Sequence, residues 1–180
     1  LEEIAENKQN LLESYVGQMR SYFALENFQN ARDAALKLLK TETVSSDLIN
    51  EAHITLARCH FNLGDLNSAQ YEYSITEKLT DSEWGAESQY QMAFIAYSTG
   101  KYNEAEELVF QLADKYGAYD YWVAKGFILL ADVYLKLDNV FQARQTLQSI
   151  IDNYKGPELK EIAEKKLREI TEQEGQQNNQ

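Results

Sequence analysis

Four alanines frame this 180-residue chain. Ala31, Ala69, Ala105 and Ala143 stand 38, 36 and 38 residues apart. Each lies three residues after the apolar residue that closes a turn-forming tetrapeptide: Leu25-Glu26-Asn27-Phe28, Leu63-Gly64-Asp65-Leu66, Thr99-Gly100-Lys101-Tyr102 and Leu137-Asp138-Asn139-Val140. Every tetrapeptide offers Gly, Asn or Asp where a turn requires positive φ. Twelve residues before each alanine stand Met19, Ala57, Ala93 and Ala131; nine before, Tyr22, His60, Ala96 and Tyr134; sixteen before, Tyr15, His53, Gln89 and Phe127. The stretch 86–116 displays the unit: two short helical stripes, Met92–Ala96 and Tyr102–Val109, joined by a tight turn. Neither stripe can be buried by its own hairpin, so copies must stack.

The phase predicts helices near 10–25, 28–40, 47–62, 66–79, 83–98, 102–116, 119–136 and 140–154. Thr80 to Glu83 reads as a capping box, with Thr80 accepting from the backbone of Glu83. Gly156 suits a helix end and Pro157 the first turn of a ninth helix, near 157–172. That helix carries Leu159, Ile162, Ala163, Leu167 and Ile170 as one stripe, backed by Glu and Lys, as the end of a helical stack requires. Gly175–Gln180 has nothing to bury and is expected to be disordered. At the other end no initiator Met precedes Leu1. Residues 1–9 read as the tail of a helix from a preceding repeat, interrupted at Lys8–Asn10 before the next helix starts.

The recurring order of aromatic, small residue, aromatic, turn, aromatic and alanine over residues 10–153 resembles the tetratricopeptide repeat. The resemblance implies an all-α right-handed solenoid of four antiparallel helix pairs (10–154) with a C-terminal capping helix (155–172) and a disordered tail (173–180). The first-helix tryptophan of that family is absent, Met19 takes the small-residue slot in the first pair, and the period exceeds the usual 34 residues or so. The extra length falls at 41–46, 79–82 and 116–119. Such long-period repeats look like those of bacterial envelope proteins, the TolA-binding (Tol–Pal coordinator) family and the lipoprotein of the outer-membrane barrel-assembly machine. That spacing points to a periplasmic setting and the free Cys59 away from one.

Charge narrows the partners. A net charge of −12 without a Lys/Arg cluster argues against nucleic acid. No apolar run approaches the roughly 20 residues that span a bilayer. Few Gly, one Pro and 44% apolar residues favour long helices around a core. A single cysteine rules out an internal disulfide framework.

Catalytic signals are missing: there is no G-x-S-x-G, no H-E-x-x-H and no Walker loop. His53 and His60, with Cys59 beside them, share a helix face. They occupy the slots of Tyr15 and Tyr22 and lack a third ligand, so they read as packing residues rather than a metal site. Tyr116, Tyr119, Tyr121 and Trp122 read as gap filling between repeats, or alternatively as an aromatic anchor for a partner.

The resemblance implies that first helices line a partner groove. One column along it holds Arg20, Arg58, Phe94 and Asp132. A second holds Phe23, Phe61, Tyr97 and Leu135, and a third Val16, Ile54, Tyr90 and Ile128. Glu13, Glu51, Glu87 and Lys125 form the outer edge. The expected binding residues are Arg20, Phe23, Arg58, Phe61, Tyr90, Phe94, Tyr97 and Asp132. The two arginines would pair with a partner carboxylate, or instead with Glu13 or Glu51 on the same face. The Lys and Asn slots of the family's carboxylate clamp for chaperone C-termini hold Val16, Ile54, Arg20 and Arg58, which favours an apolar or aromatic segment. The expectation is a non-enzymatic interaction module without cofactor or metal. Its partner is a neutral or basic protein or peptide with apolar anchors. The rivals are a self-associating scaffold and a substrate-recruiting accessory to a catalytic domain elsewhere in a longer chain.

Overall fold

A computed structural model describes residues 2–42 and 44–177. In chain order the helices are α1 (Glu2–Ala24), α2 (Phe28–Leu39), α3 (Ser46–Asn62), α4 (Leu66–Leu79), α5 (Glu83–Ser98), α6 (Tyr102–Lys115), α7 (Asp120–Lys136), α8 (Val140–Asn153) and α9 (Pro157–Gln177). No strand occurs among the described residues. The fold class is all-α, built from helix pairs with a C-terminal helix against the last pair. The chain divides within α5 into two compact units, Leu1–Ser88 and Gln89–Gln180.

The turn inside each pair follows from backbone hydrogen-bond accounting. A first helix ends with unsatisfied carbonyls, and a residue in the left-handed region folds the chain back to meet them. In the first pair Glu26 (φ 57°) donates to Phe23 O at 3.0 Å and Asn27 to Tyr22 O at 2.8 Å. Gly64, Gly100 and Asp138 repeat this geometry, with φ of 80°, 78° and 57°. The residue after each then caps the second helix. Asn27, Asp65 and Asn139 accept from the amides of Asn30, Ser68 and Gln142 at 3.3, 3.1 and 3.3 Å. Lys101 holds the same place and makes no side-chain cap. The positive-φ residue of the first pair is therefore Glu26, which the sequence pattern did not single out.

The alanine frame is the close-contact seam. Ala31, Ala69, Ala105 and Ala143 are fully buried, as are the small-residue slots Ala57, Ala93 and Ala131, while Met19 is almost so. In the first unit Met19, Ala34, Ala35, Leu38, Ala52 and Leu56 form a core flanked by Leu12, Tyr15 and Val16. In the second, Gly126 on α7 sits where a Cβ would come within 2.8 Å of the Leu112 side chain on α6, so α6 and α7 approach closely there.

Three expectations are corrected. α1 is continuous through Lys8–Asn10. Nothing there breaks a helix, since Lys and Gln are good formers and Asn costs only about 0.7 kcal/mol. Gln9 also donates to Glu13 at 2.8 Å, and Lys8 pairs with Glu42 at 2.6 Å. α9 runs on to Gln177, through residues 173–177 that were expected to be disordered. Arg144 on α8 holds Glu174 at 2.8 Å, and residues 178–180 lie outside the described part. Before α5 the residue at the N-cap is Ser82, whose hydroxyl accepts from the Trp84 amide at 3.3 Å, while Thr80 accepts from the Ser82 amide at 3.1 Å. Pro157 opens α9 as expected, with Leu159, Ala163 and Ile170 buried; Ile162 from the same stripe is exposed.

Candidate partner-binding surface

In the first unit the arginine column is already engaged. Arg20 on α1 forks onto Glu51 on α3, Nε to Oε1 at 2.6 Å and an Nη to Oε2 at 2.7 Å. Arg58 on α3 forks onto Glu87 at the start of α5, with Nε to Oε1 at 2.7 Å. Each bond runs from one first helix to the next, so an edge column of glutamates becomes a row of bidentate ion pairs. The two rungs differ in exposure: Arg20 and Glu51 side chains are 60% and 18% accessible, Arg58 and Glu87 30% and 9%. Burial pulls the Arg58 pKa down, and the hydrogen bonds and charge of Glu87 more than offset it, so it stands above its ordinary value. Of the two roles expected for the arginines, internal pairing is the one the structure displays. The partner of Arg58 is Glu87, not Glu51 or Glu13. Phe23 sits half-buried, edge-on to Phe28 with ring centroids 5.7 Å apart, and Phe61 is half-buried on the same face of α3.

The second unit carries the aromatic part. Tyr90 and Phe94 stack on α5 with centroids 6.4 Å apart, and Tyr97 packs on Tyr102 at 5.8 Å. Tyr90 is only 8% exposed. Trp122 lies 5.6 Å from its ring, and the Lys125 ammonium stands over it at 4.8 Å. Burial pushes its phenol up to about 12. The expected open row of rings is thus closed at Tyr90 and half-open at Phe94 and Tyr97. Asp132, one helix along, is held by Lys166 of α9 at 2.6 Å and acts electrostatically on Tyr90 and Tyr97.

The four-residue aromatic cluster splits. Tyr116 is fully buried and packs tilted against Tyr119 with centroids 6.3 Å apart, which is gap filling. Tyr121 and Trp122, 5.2 Å apart, turn toward Tyr90 and Lys125. Lys125 thereby stands over three rings, at 4.8 Å from Tyr90, 5.1 Å from Trp122 and 5.6 Å from Tyr121. Sequence reading placed Lys125 only on the outer edge. The signal available was its phase, one step beyond Glu87 in a column of acids.

His53 and His60 are not brought together. His53 Nδ1 bonds Glu72 at 2.7 Å across the α3–α4 pair. His60 Nδ1 lies 3.3 Å from Asp65 without the alignment of a hydrogen bond. Cys59 is fully buried, and burial raises its thiol to about 11. Among the described residues no group of three or more His, Cys, Asp or Glu is placed to hold a metal ion. No helix there is long and apolar enough to cross a membrane.

The largest exposed rings lie elsewhere: Phe141 on α8 is 71% accessible and Tyr71 on α4 65%.

Residues 127–156, which hold most of α7 and all of α8, match the tetratricopeptide repeat family. Several solved structures share the fold. YrrB, described as a tetratricopeptide repeat protein with an unusual peptide-binding site, is 20% identical with a TM-score of 0.65, over 86% of this chain and 74% of its own. MamA is 18% identical with a TM-score of 0.61, over 90% of this chain and 97% of its own. The N-terminal domain of stress-induced protein-1 from C. elegans is 16% identical with a TM-score of 0.57, over 72% and 99%. No curated protein matches the chain. The fold is that of tetratricopeptide-repeat arrays, and the fourth pair carries the family's sequence pattern.

Proposed function

We propose that the chain is a non-enzymatic interaction module whose first-helix faces hold a segment of another protein. The contacts fall to Arg20, Phe23, Arg58 and Phe61 in the first unit and to Tyr90, Phe94, Tyr97 and Asp132 in the second. The observation that carries this reading is the face of the second unit. There Phe94 and Tyr97 are half-open, with Lys125 over the neighbouring Tyr90 ring and Asp132 acting on Tyr97, an apolar floor with a polar rim of the kind interfaces use. The peptide-binding description of YrrB supports it by analogy of fold. The rings supply affinity and the rim charges set orientation. A surface at −12 favours a partner that is neutral or basic overall. The 36–38-residue period carries the likeness to envelope-type repeats and with it a cell-envelope setting.

The test is capture from native extract by the wild type, by Phe94→Ala/Tyr97→Ala, and by a Tyr71→Ala/Phe141→Ala control. The reading requires a partner lost only with the first-helix pair. A partner lost only with the control pair refutes it.

A second reading rests on Phe141 and Tyr71, rings open enough to serve a scaffold that self-associates through its second helices. Light scattering distinguishes it: an oligomer in the wild type that dissociates on Tyr71→Ser/Phe141→Ser supports self-association, and a monomer excludes it.

A further inference from the structure

We propose that the second unit takes an acidic side chain of its partner onto Lys125, within an internal segment that continues over Phe94 and Tyr97. This rests on the first-helix face being the binding surface.

Arg20 meets Glu51, Arg58 meets Glu87, and Asp132 meets Lys166. Between the second and last of these, Phe94 occupies the arginine's place and Lys125 the glutamate's. A phenyl ring cannot answer an ammonium with a counter-charge, and no carboxylate among the described residues comes within ion-pair distance of Lys125. Tyr90, Tyr121 and Trp122 hold the ammonium at 4.8, 5.6 and 5.1 Å, and Lys125 stays part-exposed. They fix a side chain that otherwise carries large rotamer freedom, so a ligand meets a cation already ordered. Their low-dielectric surfaces also strengthen any pair formed there relative to one in open water.

The fit is to one side-chain carboxylate. In the first unit's rungs the counter-charge is a glutamate side chain, reached across neighbouring helices. Asp132 in the same unit is already paired with Lys166 and supplies no cation for a second acid, so the match is to one carboxylate. Phe94 and Tyr97 lie further along α5 and are half-open, ready for an apolar neighbour of that acid. The occupant is therefore an acidic residue beside an aromatic or aliphatic one, inside a segment that need not be acidic overall.

The experiment is peptide display against the full chain. One library has random segments continued at both ends, and the other presents a free C-terminus. The baits are wild type, Lys125→Met and Lys125→Arg, with folding checked by circular dichroism. The expected result is about fivefold enrichment of Asp and Glu among continued-segment binders of the wild type and Lys125→Arg, absent with Lys125→Met. Binders without acidic preference, or with the same preference on Lys125→Met, overturn the inference and leave the groove standing. Acid recognition confined to the free C-terminal library overturns the side-chain assignment. If the folded wild type selects no binder, the groove reading fails and takes this inference with it.

Discussion

The two arginine rungs of the first unit have the same bidentate geometry and different burial, which makes them a controlled comparison. Two unit charges about 4 Å apart attract by about 4 kcal/mol at an effective dielectric of ~20, and by about 1 kcal/mol in bulk water. Glu87 is 9% accessible and Arg58 30%, so that pair lies toward the first regime, less the desolvation of the carboxylate. Glu51 and Arg20, at 18% and 60%, lie toward the second. Double-mutant cycles with Arg58→Met and Glu87→Gln should give a coupling of about 2 kcal/mol, against about 0.5 kcal/mol for Arg20→Met and Glu51→Gln. Arg58→Met alone should cost about 3 kcal/mol, because it leaves Glu87 buried and unpaired. Urea melts read by helical circular dichroism measure all seven species, with the denaturant slope required to stay constant. Raising the salt to 1 M should erase the Arg20 coupling and only reduce the Arg58 one. Equal couplings, or a larger one at Arg20, would show that burial does not control these pairs and that the reasoning is wrong.

Other outcomes follow from the same backbone and burial. Glu26→Gly should stabilise the protein by about 0.5–1 kcal/mol, since a non-glycine residue at φ 57° costs roughly 1–2 kcal/mol and glycine's added chain entropy returns only part; a thermal melt that falls instead refutes it. Lys101→Asn should gain about 1 kcal/mol by supplying the side-chain cap that α6 lacks, and hydrogen exchange in the first turn of α6 should slow. Cys59, buried with its thiol raised to about 11, should react with a disulfide reagent at neutral pH only as fast as the α3–α4 pair opens. Rapid labelling of the native protein would contradict that burial. The Asp65 carboxylate is held below its ordinary pKa by hydrogen bonds from the Ser68 side chain and amide. Its stabilisation is therefore complete above the unfolded value near 3.8 and lost as pH falls through the lower folded value. Asp65→Asn keeps an acceptor at the cap and should flatten that part of the acid limb; an unchanged limb argues against the linkage.

The helix pairs were legible because their signals are local. Phe28, Leu66, Tyr102 and Val140 open α2, α4, α6 and α8 at the positions the repeat phase assigns. Those starts are fixed by a positive-φ turn and, in three of the four, a side-chain cap within a few residues. What escaped depends on neighbours far along the chain. Arg58 finds Glu87 29 residues away, and Tyr90 is closed over by Trp122 and Lys125 from α7. A column of residues facing one way indicates a face, but not which members will answer one another across it. The continuity of α1 and α9 escaped for another reason. Weak helix formers such as Asn10 and Gly175 look like breaks in sequence, and cross-helix ties such as Lys8–Glu42 and Arg144–Glu174 leave no local signal.

If partners are held on the first helices, Phe94, Tyr97 and Lys125 stand at the middle of the contact in the second unit. Backbone amide NMR shifts on titration with a selected peptide test that placement most directly. The largest changes should fall on α5 and α7, centred on those residues, with little change around Phe141 on α8. Changes concentrated on α8 and α4, around Phe141 and Tyr71, with α5 and α7 silent, would contradict it.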